Sequence, residues 1–163
     1  MQKLLHFSAL IGVLNFLTGR SHTNIEGSHV AACQDTLYQY LKARDNGSAA
    51  QYGSLFTPDA TFAVPALQIE LKGKEAIVTR QQAAIKTDKT MHNLTSSEIS
   101  INDEGKITAL SHFILLKRSY QQPPNKQLEV FNGRYLDVLE IKNAQCLIKE
   151  RVVLIDRKEQ WRL

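Results

Sequence analysis

The sequence predicts an α+β fold: three helices packed on the concave side of one curved, mainly antiparallel sheet of about six strands. Two blocks of the chain predict it. From Thr36 to Phe62, apolar residues first recur at helical spacing and then give way to a turn and a strand. From Thr90 onward, four long segments of alternating character are separated by turn signals. A third helical pattern between the two blocks completes the layout.

The elements follow in chain order. Ser28 or His29 begins a first helix that runs to about Arg44, with Leu37, Tyr40, Leu41 and Arg44 at helical spacing. Asn46-Gly47 is expected to end it, because both residues tolerate the left-handed conformation of many helix stops. Ser48 is placed to cap a second, shorter helix carrying Ala49, Tyr52 and Leu55 on one side. Thr57-Pro58-Asp59-Ala60 reads as a turn into a strand from Thr61 to Val64, and Ala66 to Leu71 as a second short strand. A third helix opens at Gly73 and ends near Lys86, with Ile77, Ala84 and Ile85 on its apolar side.

Four longer strands are expected at Thr90 to Ile101, Lys106 to Tyr120, Gln127 to Ile141 and Gln145 to Asp156. Asn102-Asp103-Glu104-Gly105 closes the first hairpin. Pro123-Pro124 marks an exposed connection, since proline donates nothing to a ladder. Lys142-Asn143-Ala144 turns the last pair, and the residues after Asp156 read as a charged tail.

A chain of 163 residues suggests one domain, here 28–157, large enough to enclose both a core and a cavity. The net charge of +4 is modest, and the basic pairs Lys72/Lys74, Lys117/Arg118 and Arg157/Lys158 lie in different segments. Scattered charge and the lack of any nucleic-acid-binding motif argue for a solvated surface over a nucleic-acid interface. Residues 1–22 have a positive start, an apolar run from Leu4 to Leu17 too short to span a bilayer, and a polar follow-on. That is the pattern of a secretory signal peptide, which would export the protein. The other reading is an extra amphipathic N-terminal helix on a cytoplasmic protein. Cys33 and Cys146 show no metal spacing and are expected as two unpaired buried thiols, with pairing open to them if the protein is exported.

The order helix, short helix, Phe-Thr-Pro-Asp-Ala, strand resembles the opening of the SnoaL-like family. That family is the polyketide-cyclase- and scytalone-dehydratase-like branch of the NTF2-like superfamily. The resemblance runs from about His29 to Asp156. Gly73-Lys74-Glu75-Ala76-Ile77 resembles its third-helix opening, Gly133-Arg134-Tyr135-Leu136-Asp137 its Gly-Arg-Tyr-x-Asp segment, and Leu147 to Asp156 its closing strand. Cys146 departs from it, standing where many relatives carry Trp.

The resemblance implies an NTF2-like cone, a pocket for a small hydrophobic molecule, and a homodimer. Dehydratase-type members use an Asp ending the first helix, an aromatic residue about a turn earlier, a His starting the first long strand and a polar group on the next. By motif these fall on Asp45, Tyr40, His92 and His112. Tyr135 and Phe62 complete the expected pocket as substrate-binding groups. A buried imidazole beside a carboxylate suits proton removal next to a carbonyl, and Tyr hydroxyls suit its oxygen. The resemblance implies no metal or organic cofactor for such a reaction. Each residue also has a plainer reading: Asp45 as a helix-end residue, Tyr40 as core, and His92 and His112 as satisfied histidines on apolar strand faces. Asp137 and Arg151 read as a structural ion pair. The function implied is a cofactor-independent lyase or isomerase acting on a small carbonyl compound. The alternative is a non-catalytic ligand-binding or assembly domain.

Overall fold

A computed structural model describes residues 18–121 and 127–162. Its elements are α1 (Thr18–Asn46), α2 (Ala49–Gly53), β1 (Phe56–Val64), a 3-10 turn (Pro65–Leu67), β2 (Ile69–Lys72), α3 (Lys74–Thr87), β3 (Asp88–Ile101), β4 (Ile107–Ser119), β5 (Leu128–Lys142) and β6 (Gln145–Trp161). The strands form one six-stranded sheet in the order β2-β1-β6-β5-β4-β3. Only the β1–β6 pair is parallel. Three helices on a mostly antiparallel open sheet match the NTF2-like cone.

Several boundaries differ from those expected. Helix α1 is already helical at Thr18, the first described residue, ahead of the expected start at Ser28 or His29; the signal-peptide reading falls mainly on residues 1–17, which lie outside the described residues. Thr57-Pro58-Asp59-Ala60 is part of β1 rather than a turn, and a register irregularity between Phe56 and Thr61 lets the strand carry its proline. Pro65 to Leu67 coil into a 3-10 turn instead of opening a strand, and Gln68 closes it at φ 54°. The expected charged tail is the end of β6. It pairs with the start of β5, from Asn132↔Arg157 to Leu128↔Trp161, and Lys158 reaches Glu129 at 2.5 Å. Register shifts opposite Asn132/Gly133 and Val138/Leu139 bend this long ribbon, as bulges do.

The core lies between α1 and the inner sheet face. Tyr40 of α1 stands within 5.6–6.2 Å, ring centroid to ring centroid, of Tyr52, Phe56 and Tyr135. Phe113 stacks on Tyr135 at 4.4 Å. A Cβ on Gly133 would stand 2.7 Å from the Phe113 ring, so the missing side chain makes room for that stack. Beneath the tyrosines, Arg151 and Asp137 form the expected ion pair, fully buried, through two 2.7 Å bonds. The Arg151 guanidinium lies over Tyr40 at 3.8 Å and Tyr135 at 4.4 Å.

The cysteines correct the expectation of free thiols: Cys33 and Cys146 form a disulfide joining α1 to the start of β6. Their Cα atoms are 4.9 Å apart because α1 packs on the β5–β6 hairpin, where the Thr36 hydroxyl also donates to the Cys146 carbonyl at 2.7 Å.

Candidate active site

Asp45 is delivered by the last turn of α1. Asn46-Gly47 ends the helix as expected, but without the left-handed residue: the glycines with positive φ are Gly73 and Gly105. Gly47 is needed for close approach instead, since a Cβ there would meet Ala43 Cα and its carbonyl oxygen at 2.6 Å. Two carbonyls of this helix end accept from α3, one of them, Ala43 O, alongside the Gly47 amide at 2.9 Å. Gln81 donates to Ala43 O at 3.1 Å, and Gln82 donates to Gly47 O at 3.3 Å. The side chains of one helix thus hold the end of another, and Asp45 with it. Ser48 caps α2 as expected, with Gln51 completing a capping box.

Strand β3 runs past this helix end with alternate residues turned inward. Thr90 donates to Asp45 Oδ1 at 2.7 Å, the His92 amide donates to Oδ2 at 2.7 Å, and His92 Nδ1 donates to Oδ1 at 2.5 Å. Both side chains are nearly out of solvent, with His92 6% and Asp45 9% exposed. Donation from Nδ1 leaves Nε2 as the basic nitrogen of the neutral ring. Burial pushes the His92 pKa below its ordinary 6.5; the Asp45 carboxylate pulls it back only in part. Burial pushes Asp45 upward, but the hydrogen bonds and charge it shares with His92, and the Thr90 bond, together bring it below 3.8. A neutral imidazole oriented by an ionised carboxylate is therefore the state of this pair near neutral pH.

His92 forms part of the wall of a cavity of about 200 Å3 between the helices and the sheet. An apolar cavity of about 150 Å3 admits benzene, so this one has room for a one-ring compound. The wall is mostly apolar, with Phe62, Leu115 and Phe131 among its members. Tyr40 and Tyr135 also face it. Burial, then Tyr40, hold the Tyr135 hydroxyl well above its ordinary pKa, so it stays a donor. Among the described residues, no group of three or more His, Cys, Asp or Glu side chains is placed to hold a metal ion.

Of the six expected residues, Tyr40, Phe62, His92 and Tyr135 line this cavity, and Asp45 stands behind His92. His112 does not join them. It lies on the opposite face of β4 from Phe113 and Leu115, exposed, with its Nδ1 3.0 Å from Ser96 Oγ. Its even-numbered neighbours Leu110, Ile114 and Leu116 share that outer face, so their apolar character does not mark the interior. Thr90, Arg80 and Lys117 also line the cavity but carry no motif in the sequence. For Thr90, the two-residue spacing from His92 along a strand is the one usable signal.

A family model for the SnoaL-like domain matches residues 28–152. Solved structures share the fold. A proposed scytalone dehydratase from Novosphingobium aromaticivorans has TM-score 0.73 at 18% identity, covering 88% of this chain and 93% of that one. A hexachlorocyclohexane dehydrochlorinase, LinA-type3, from Novosphingobium barchaimii has TM-score 0.70 at 14% identity, covering 87% and 92%. ActVI-ORFA from Streptomyces coelicolor has TM-score 0.64 at 19% identity, covering 78% and 96%. A search of curated proteins gives no match. With its helix-end aspartate, its Gly-Arg-Tyr-x-Asp strand and a domain match over most of its length, the chain belongs to the SnoaL-like family of the NTF2-like superfamily.

Proposed function

We propose that this protein is a cofactor-independent lyase or isomerase acting on a small, largely hydrophobic carbonyl compound. The observation that carries the reading is the Asp45–His92 pair set in the wall of an apolar cavity. His92 Nε2 takes a proton from the carbon next to the carbonyl, and the C–H electron pair moves toward the oxygen. Tyr40 and Tyr135, which line the same cavity as His92, supply hydroxyl donors for that oxygen. For elimination, the electron pair then forms the C=C bond as the C–O bond to the β-carbon breaks, and the imidazolium returns its proton to the leaving hydroxyl as water. For isomerisation, the same proton returns to another carbon. His92 serves both half-steps, and Asp45 holds the tautomer and the charge that forms in between. The dehydratase and dehydrochlorinase names among the structural neighbours agree with proton abstraction as the shared step.

The test is turnover of a panel of β-hydroxy ketones and conjugated enones. At least one compound should react, and His92→Ala and Asp45→Asn should each slow it about 100-fold or more, the scale of lost acid–base help. Wild-type rates in both variants would refute the assignment. Tight binding of a panel compound without conversion would make the chain a ligand-binding domain.

The setting of the reaction is also proposed. The Cys33–Cys146 disulfide supports export, because such bonds persist in oxidising compartments. An intact mass lacking residues 1 to about 22 in protein from its native host would bear this out; a full-length cytoplasmic product would not. The outer sheet face, where Leu110 pairs with Leu136 and both are more than a third exposed, supports sheet-to-sheet homodimerisation.

A further inference from the structure

We infer that the molecule taken by this cavity carries a permanent negative charge, such as a carboxylate, seated against Arg44 with Arg80 beside it. The inference rests on the cavity being the ligand site proposed above and adds the class of compound it selects. Three cationic side chains line the wall: Arg44, Arg80 and Lys117. The acid among the lining residues is Asp88. Lys117 is matched, standing 3.7 Å from Asp88 and 3.2 Å from Glu129. Among the described residues, neither Arg44 nor Arg80 has a carboxylate within ion-pair distance. Asp45, next to Arg44 in sequence, is not available to it. Its Oδ1 accepts from Thr90 and from the His92 ring, and its Oδ2 accepts from the His92 amide.

Arg44 is also not a surface arginine satisfied by water. The residue is half-buried, and its Nη1 is closed off from solvent without a hydrogen-bond partner. A guanidinium held in an apolar wall is costly unless an anion completes it. Its planar fork of donors fits a carboxylate through two parallel bonds. The apolar neighbours strengthen that pairing by lowering the local dielectric. Arg80, exposed on α3, adds a second positive charge on the same cavity.

The test uses matched one-ring probes: benzoate with benzamide, phenylacetate with phenylacetamide, and cinnamate with cinnamamide. Binding is measured by calorimetry on the oxidised full-length protein at low ionic strength. In at least one pair the carboxylate should bind roughly tenfold or more tighter than its amide, as expected for charge-assisted hydrogen bonds. Arg44→Gln should bring that preference below about twofold, and Arg44→Lys should restore part of it. Arg80→Gln, at an exposed position, should lower it about two- to threefold. His92→Ala should keep the preference while losing turnover. If His92→Ala instead keeps turnover, the acid–base reading falls and the anion site stands. A preference absent from every wild-type pair overturns the inference. So does one unchanged in each arginine variant that retains a cooperative thermal transition.

Discussion

At the scale of single residues, the account turns on one hydrogen bond. Asp45 fixes His92 with Nδ1 protonated and Nε2 basic, and burial keeps the ring neutral. Because the His92 pKa is lowered, the base form persists below the ordinary 6.5. The pH profile of kcat/KM for any turned-over substrate should therefore rise with an inflection below pH 6.5 and stay level above it. Asp45→Asn removes the group that pulls this pKa back up, so its inflection should move lower still as the rate falls. The same sign governs folding. The unfolded chain binds the His92 proton first as pH falls, so stability should begin to decline on acidification just below pH 6.5, ahead of the loss from the carboxylates, and His92→Gln should remove this first part of the decline. His112→Ala, on the outer face, should leave turnover within about twofold of wild type, which steady-state kinetics checks. His92 and Asp45 were legible because each sits in a recognisable local setting, a helix end and a strand start. His112 was misplaced because its apolar neighbours mark either side of a sheet equally well. Whether a strand's apolar face is the inside depends on what packs against it, and nothing in Leu-Ser-His-Phe-Ile-Leu-Leu states that.

At the scale of elements, the site depends on how α1 ends. Gln81 and Gln82 of α3 hold the last carbonyls of α1, and Gly47 lets the chain pass close to Ala43. Gly47→Ala should displace the helix end and Asp45 with it, lowering turnover and thermal stability together; a change in neither would show that the approach is not tight. The order of elements was readable throughout, since periodicity and turn residues are local signals. The C-terminal half of β6 was not. Asp-Arg-Lys-Glu-Gln looks like a solvated tail, and it becomes strand because the start of β5 needs a partner and offers Glu129 to Lys158. Pairing between strands decides such a segment, and pairing is not written in either strand alone.

At the scale of the molecule, two buried features tie the cone together. The Asp137–Arg151 pair lies under both tyrosines of the cavity floor. Asp137→Asn leaves a buried guanidinium charge uncompensated and should cost about 3–5 kcal/mol in chemical denaturation; a cost under about 1 kcal/mol would show the charge to be satisfied otherwise. The Cys33–Cys146 bond joins residues 113 apart, a closure that in the loop-entropy picture contributes about 4–5 kcal/mol. Reduction should lower the denaturation midpoint accordingly. The sequence left this pairing open but favoured free thiols, because only the packing of α1 on the last hairpin brings the two cysteines together.

The state of the His92 ring tests the central claim most directly, and it needs no substrate. In protein carrying 15N-labelled histidine, long-range 1H–15N spectra distinguish the two neutral tautomers from the imidazolium. The account predicts that at pH 7 His92 is neutral with its proton on Nδ1, and that it titrates with a midpoint below 6.5. A ring protonated on Nε2 alone, or an imidazolium at pH 7, would contradict it.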